Sequence, residues 1–128
     1  MKDFKKYYEL AASAEEVYGA LTKPLAIKLW TGEEAVMSTE VGTEFSLWNG
    51  SIEGMNLEFE ENRKIVQQWY FGDQEAESIV TILIHSIKNG CSVELKHSNI
   101  PDDDFEDVVE GWTDAYFGSL QEYFMNES

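Results

Sequence analysis

Between Glu34 and about Ser98 the apolar residues of this chain alternate with polar ones in short runs, among them "AVMSTEVG", "TEFSLWNG", "KIVQQWYFG" and "SIVTILIHSIKNG", broken at glycines. A period of two predicts short strands joined by tight turns, hence an antiparallel meander. A single sheet has an apolar face that something must cover, and only one segment is long enough to do it. After Pro101, apolar residues recur at helical spacing at Phe105, Val109, Trp112, Tyr116, Leu120 and Phe124. Asp102 or Asp103 is placed to cap this helix, and the acids of its first turn suit the positive end of its dipole. The expected architecture is α+β, a curved antiparallel sheet around a long C-terminal helix.

The segment before the meander reads as one strand and two short helices. "KDFKKYYELAAS" alternates loosely. Ser13 with Glu16 three residues on forms a capping box, and Val17 with Leu21 an i, i+4 apolar pair. In "KPLAIKLWTG", Pro24 is tolerated in a first turn and Gly32 is placed to end it. At 128 residues, with 43% hydrophobic and 27% charged, the chain suits one domain spanning residues 1–128.

The charge excludes whole classes of partner. The 25 acids against 9 bases give a formal net charge of -16, a field that repels phosphate backbones, so neither nucleic acid nor an anionic membrane surface is an expected partner. No apolar run reaches the length of a signal-peptide core or a membrane span, so the expected location is cytoplasmic. The lone cysteine, Cys91, is expected to be a small strand residue.

One hairpin decides which side chains face inward. If Asn89 and Gly90 make a two-residue turn in "IKNGCS", Lys88 pairs with Cys91, and Ile82 and Ile84 share a face with Val93, Leu95 and His97. If Lys88, Asn89 and Gly90 form a three-residue loop, Ile87 pairs with Cys91 and the faces exchange. Thr81, His85 and His97 then look inward, while Val80, Ile82 and Ile84 form an apolar ridge on the back of the sheet, a candidate homodimer contact. Patterning alone favours the first arrangement.

The series "VGTEFSLWNGSIEGMNLEFEENRKIVQQWYF", "IVTILIHSIKNGCSVELKHSNIP" and "GWTDAYFGSLQEYF" resembles the C-terminal domain of the activator of heat-shock protein 90 ATPase and its single-domain relatives, within the START-like (SRPBCC) helix-grip superfamily. The resemblance runs from about Phe4 to Phe124 and rests on Gly42 and Phe45, Gly54 with Glu58, Trp69, and Gly111, Trp112 and Tyr116. It implies a helix-grip fold with two short helices after the first strand. It also favours the second hairpin arrangement, since relatives place the positions of Ile79, Thr81, Leu83 and His85 toward the helix, and that is the reading adopted. The family's full co-chaperone carries a further N-terminal domain with an asparagine- and tryptophan-rich motif. That motif does not occur in these residues, so ATPase stimulation is not carried over.

Motifs for catalysis are absent: no G-x-S-x-G, H-E-x-x-H, C-x-x-C or phosphate-binding glycine loop occurs. "PDDDFEDVVEGW" fails as a calcium loop because Asp107 stands where glycine is needed. The expectation is a domain with no catalytic residue, no cofactor and no metal. A curved sheet and one helix leave space that rings can fill or a small apolar or aromatic ligand can occupy. The candidate ligand residues are Trp48, Trp69, Trp112 and Tyr116 as walls, with Thr81, His85 and His97 as polar contacts. The alternative is a protein-interaction module without its own ligand, either a homodimer or, as the resemblance implies, a chaperone co-factor, with Val80, Ile82 and Ile84 as the contact. The last helix is expected to plug the core at its C-terminal end and to leave a modest pocket near Trp112.

Overall fold

A computed structural model describes residues 1–72 and 76–126. Strand β1 (Lys2–Leu10) leads into helices α1 (Ala14–Thr22) and α2 (Pro24–Thr31). Strands β2 (Glu44–Leu47), β3 (Ile52–Glu60), β4 (Lys64–Trp69), β5 (Ser78–Ile87) and β6 (Gly90–Ile100) follow. The C-terminal helical segment comprises a 3₁₀ turn (Asp102–Asp104), α3 (Phe105–Gly111), a π turn (Trp112–Tyr116) and α4 (Phe117–Asn126). The strands form one antiparallel sheet in the order β1-β6-β5-β4-β3-β2. Register shifts between Lys2 and Phe4 and between Asn56 and Glu58 are bulges that add bend and twist. Among the described residues no helix is long and apolar enough to cross a membrane.

Local chemistry explains the two short helices. Ser13 Oγ accepts from the Glu16 amide and the Glu16 carboxylate accepts from the Ser13 amide, both at 3.1 Å, so two orphan donors of α1 are satisfied reciprocally. Gly32 ends α2 in the left-handed conformation at φ 81°. "AVMSTEVG" is not a strand. It keeps a single bridge, Val36 to Ser46, beside the four residues of β2.

The β5–β6 hairpin corrects both expected registers. Ile87 pairs with Gly90 and Ser86 with Cys91, so Lys88 and Asn89 are the two turn residues, with Asn89 at φ 69°. Gly90 is held in the strand by its neighbour: a Cβ there would lie 2.3 Å from the Leu10 carbonyl oxygen of β1. The pairing is displaced by two from the Asn89–Gly90 alternative, which preserves the faces. Ile84 lies opposite Val93, Ile82 opposite Leu95 and Val80 opposite His97. Val80, Ile82 and Ile84 are therefore core residues, 0%, 1% and 4% exposed, and not a ridge for a chaperone or second copy. Thr81 and His85 lie on the opposite face, half-buried and exposed respectively, so neither looks into the interior.

The C-terminal segment also departs from a uniform helix. Asp104, not Asp102 or Asp103, precedes α3, and its side chain makes no cap bond. The Phe117 amide bonds back five residues to the Trp112 carbonyl, widening one turn. A Cβ on Gly118 would lie 2.8 Å from the Thr113 carbonyl oxygen, so a bare α-carbon lets this turn close. The extra residue brings Trp112, Tyr116 and Phe117 onto one buried face, followed by Leu120 and Phe124, while Phe105 and Val109 stay half-buried. Phe117 stacks on Tyr8 of β1 at 4.2 Å between ring centroids.

Candidate functional site

The π turn faces the end of the sheet where β4 finishes, and four rings meet there. Trp69 stacks on Trp112 at 4.6 Å and 24°, Trp112 lies 4.6 Å from Tyr116, and Trp48 lies 6.0 Å from Tyr116. Trp30 of α2 backs this group, edge-on to Trp48 at 5.6 Å, with its Nε1 donating to the Ala20 carbonyl at 2.8 Å. Between these rings and the start of the C-terminal segment is a cavity of about 420 Å³, within the range of small-molecule sites. Trp48, Trp69, Trp112 and Tyr116 line it, joined by Ile52, Tyr70, Phe71 and Val108. Among the described residues its charged lining consists of Asp104 and Asp107.

The walls are tied from behind. Trp112 Nε1 donates to His97 Nδ1 at 3.0 Å. Because Nδ1 accepts, the neutral imidazole carries its proton on Nε2, which donates to Ser78 Oγ at 2.8 Å, and Ser78 donates to the Ser98 carbonyl at 3.2 Å. Burial of His97, 1% exposed, pushes its pKa down to about 4 and keeps it neutral. Trp69 Nε1 donates to Gln67 Oε1 at 3.1 Å, and Gln67 Nε2 donates to Asn56 Oδ1 at 3.2 Å. Asn56 Nδ2 in turn reaches the Ser38 carbonyl and Thr43 Oγ1, both at 3.2 Å. Two tryptophan N–H groups are thus engaged inside the sheet and face no ligand.

Tyr116 differs from these. It is 5% exposed and its burial raises the phenol pKa, yet its hydroxyl has no hydrogen-bond partner among the described residues. No fully enclosed side-chain N or O among them lacks a partner, so this hydroxyl keeps some exposure, and Tyr116 itself lines the cavity. Trp48 sits in the β2–β3 turn with φ 49°, followed by Asn49 at φ 52°, two left-handed non-glycine residues in succession. That conformation costs about 1–3 kcal/mol per residue and persists where the surroundings enforce it, often at ligand clamps.

Of the residues expected from sequence, Trp48, Trp69, Trp112 and Tyr116 come together at the cavity. His97 stands behind the wall, 5.2 Å from the Trp69 ring and 5.8 Å from Trp112, and does not line it. Thr81 and His85 are excluded by the strand's parity. The residues expected from sequence do not include Ile52, Tyr70 or Val108, nor Phe71 as a site residue, and Asp104 and Asp107 read there as helix-start acids, with Asp107 also ruling out a calcium loop. The run "WYF" at the end of β4 was the available signal for Tyr70 and Phe71.

An antiparallel sheet curved around a C-terminal helix, closed by two short helices after β1, defines a START-like helix-grip domain. Residues 11–125 match the family described as Activator of Hsp90 ATPase homolog 1-like protein, and the chain belongs to that family. The Activator of 90 kDa heat shock protein ATPase homolog of Dictyostelium discoideum is 32% identical over 114 residues, 87% of this chain and 30% of that protein. The homolog 2 of Mus musculus is 25% identical over 84 residues, 66% of this chain and 25% of that protein. This chain thus spans less than a third of these curated relatives. The crystal structure of an HSP90 activator from Plasmodium falciparum matches at a TM-score of 0.87 and 28% identity, covering 96% of both chains. The Aha1 dimer from Colwellia psychrerythraea shares the fold at 0.82 and 20% identity, covering 97% of this chain and 96% of that one.

Proposed function

We propose that this domain binds a small apolar or aromatic molecule in the ring-lined cup between the π turn and the end of the sheet. The observation that carries the reading is the cavity of about 420 Å³ lined by buried Tyr116, whose hydroxyl has no hydrogen-bond partner among the described residues. A filled core would leave no such space, and a hydroxyl in a closed core would have found an acceptor. Two backbone irregularities, the π turn and the left-handed Trp48–Asn49 pair, converge on the same cup. Irregularities of both kinds concentrate at functional sites.

The test is a thermal-shift and tryptophan-emission screen with small aromatic and apolar compounds, repeated on Ala115→Trp. Ala115 is an exposed residue lining the cavity, so the larger side chain obstructs the cup without entering the core. At least one compound should raise the melting temperature of the parent chain and lose that effect in the variant. A screen in which nothing binds, or in which the variant binds equally well, rejects the proposal.

A second reading, contact with a chaperone of the 90 kDa heat-shock class, is supported by the names of the relatives in Dictyostelium discoideum and Plasmodium falciparum. A pulldown with that chaperone that recovers no complex would remove it.

A further inference from the structure

The lining of the cup has a charge asymmetry that the ring inventory does not explain. Among the described residues, Asp104 and Asp107 line it, and no lysine or arginine does. Neither carboxylate forms an ion pair with any described residue. Two N-terminal cations are engaged elsewhere on this segment: the Met1 amino group pairs with Asp102 at 2.8 Å, and Lys2 Nζ lies 5.1 Å from the centre of the Phe105 ring. Asp104 occupies the position before α3 without making the cap bond that would account for it there.

The hydrogen-bonding sense of the lining points the same way. Of the three indole donors in the lining, those of Trp69 and Trp112 are bonded to Gln67 and His97 and are withdrawn from the cavity, which leaves that of Trp48. Carboxylates only accept, and the Tyr116 oxygen can accept as well. A fatty acid or other anionic amphiphile would meet two carboxylates and no compensating cation. A neutral ligand would leave both carboxylates without a counter-charge, whereas an ammonium would find them together with aromatic rings that attract cations.

We propose that the cup selects an organic amine, an aromatic or apolar body seated among Trp48, Trp69, Trp112 and Tyr116 with a cationic head directed to Asp104 and Asp107. This rests on the cup being a ligand site, and it adds the charge class of the ligand. Acids in a first helical turn also complement the helix dipole, so the two roles must be separated by binding.

Three probes of one shape do so: 1-naphthylmethylamine, 1-naphthylmethanol and 1-naphthaleneacetate, titrated calorimetrically at pH 7. The amine should bind about tenfold more tightly than the alcohol, and the carboxylate more weakly than either. The double variant Asp104→Asn/Asp107→Asn should abolish the preference for the amine and leave the affinity of the alcohol unchanged. Glu15→Gln/Glu122→Gln removes the same charge at exposed positions, Glu122 being roughly 27 Å further along the helical segment, and should keep the preference. Equal affinity of amine and alcohol, a preference for the carboxylate, or an amine preference that survives in Asp104→Asn/Asp107→Asn overturns the amine proposal while the ring-lined cup stands. If none of the three binds and the broader screen is also empty, the cup itself is rejected as a ligand site.

Discussion

His97 gives the sharpest test of how the wall behind the cup is held. Its folded pKa of about 4 lies below the ordinary 6.5 because burial disfavours the imidazolium. Above pH 6.5 the ring is neutral in both folded and unfolded chains, and the stability of the buried arrangement is fully present. As the pH falls from 6.5 toward 4 the unfolded chain takes up a proton that the folded chain refuses, so that stability is lost. A gap of two to three pH units at 1.36 kcal/mol each corresponds to about 3 kcal/mol, or roughly 10 °C in melting temperature for a domain of this size. Protonation also removes the Nδ1 acceptor from Trp112 Nε1, so the loss includes an orphaned donor in the wall. The assay is denaturant unfolding from pH 7.5 to 4 for the parent chain and for His97→Asn. The amide oxygen introduced by that substitution can accept from Trp112, but the amide does not titrate in this range. Taking the difference between the two curves cancels the titration of the many carboxylates. That difference should shift by about 3 kcal/mol between pH 7 and pH 4. A difference flat to within about 0.5 kcal/mol would refute a neutral, buried His97.

The hairpin register predicts opposite outcomes on the two faces of one strand. Ile82→Ala should destabilise the fold by about 2–5 kcal/mol in denaturant unfolding, and His85→Ala by less than about 0.5. The reverse order would restore the register with Val80, Ile82 and Ile84 outward. Gly118→Ala ordinarily stabilises a helix by about 1 kcal/mol. Here it should lower the melting temperature, because the added Cβ meets the Thr113 carbonyl oxygen at 2.8 Å and the π turn must shift. A raised melting temperature would show that Gly118 has no part in that turn. Ser13→Ala removes one half of the capping box and should cost about 1 kcal/mol, read by the same denaturant unfolding; an unchanged midpoint would remove the cap from the account of α1.

What could be read from the residues divides by the range of the interaction. Ser13, Glu16 and Gly32 act on neighbours in sequence, and their helices stand where those residues place them. The sheet's inner face was also legible, since Val80, Ile82 and Ile84 match Val93 and Leu95 in pattern, and only the family resemblance argued otherwise. The register itself was not legible. Asn89 and Gly90 look like a turn pair, but Gly90 is required by Leu10, which approaches from the far end of the chain. The π turn was hidden for a similar reason: "GWTDAYFGSLQEYF" reads well at a period of 3.6, and the inserted residue shows only in the simultaneous burial of Tyr116 and Phe117. Asp104 and Asp107 carried two meanings in sequence, and their place on the cavity rim distinguishes them only in three dimensions.

Trp112 joins these levels, because it is both core and wall. Its Nε1 edge is bonded into the sheet through His97, one face stacks on Trp69, and the ring still borders the cavity. Trp69 is fixed in the same manner through Gln67, and Trp48 is held by a left-handed turn. Three walls of the cup are therefore oriented in advance, two by a hydrogen bond from the indole N–H and one by its turn. Ordering rotamer-rich side chains costs about 0.5–1.5 kcal/mol apiece on binding, and rings already fixed avoid most of it. A cup assembled only on contact would need flexible side chains at its rim, and this one is lined chiefly by rings. On the proposed reading of the cup, the same rigidity gives His97 an influence on ligand binding without contact. Protonation of folded His97, with its pKa of about 4, is what frees Nε1 of Trp112, so affinity for a bound ring should fall only as the pH approaches 4, below the pH at which the global stability begins to decline.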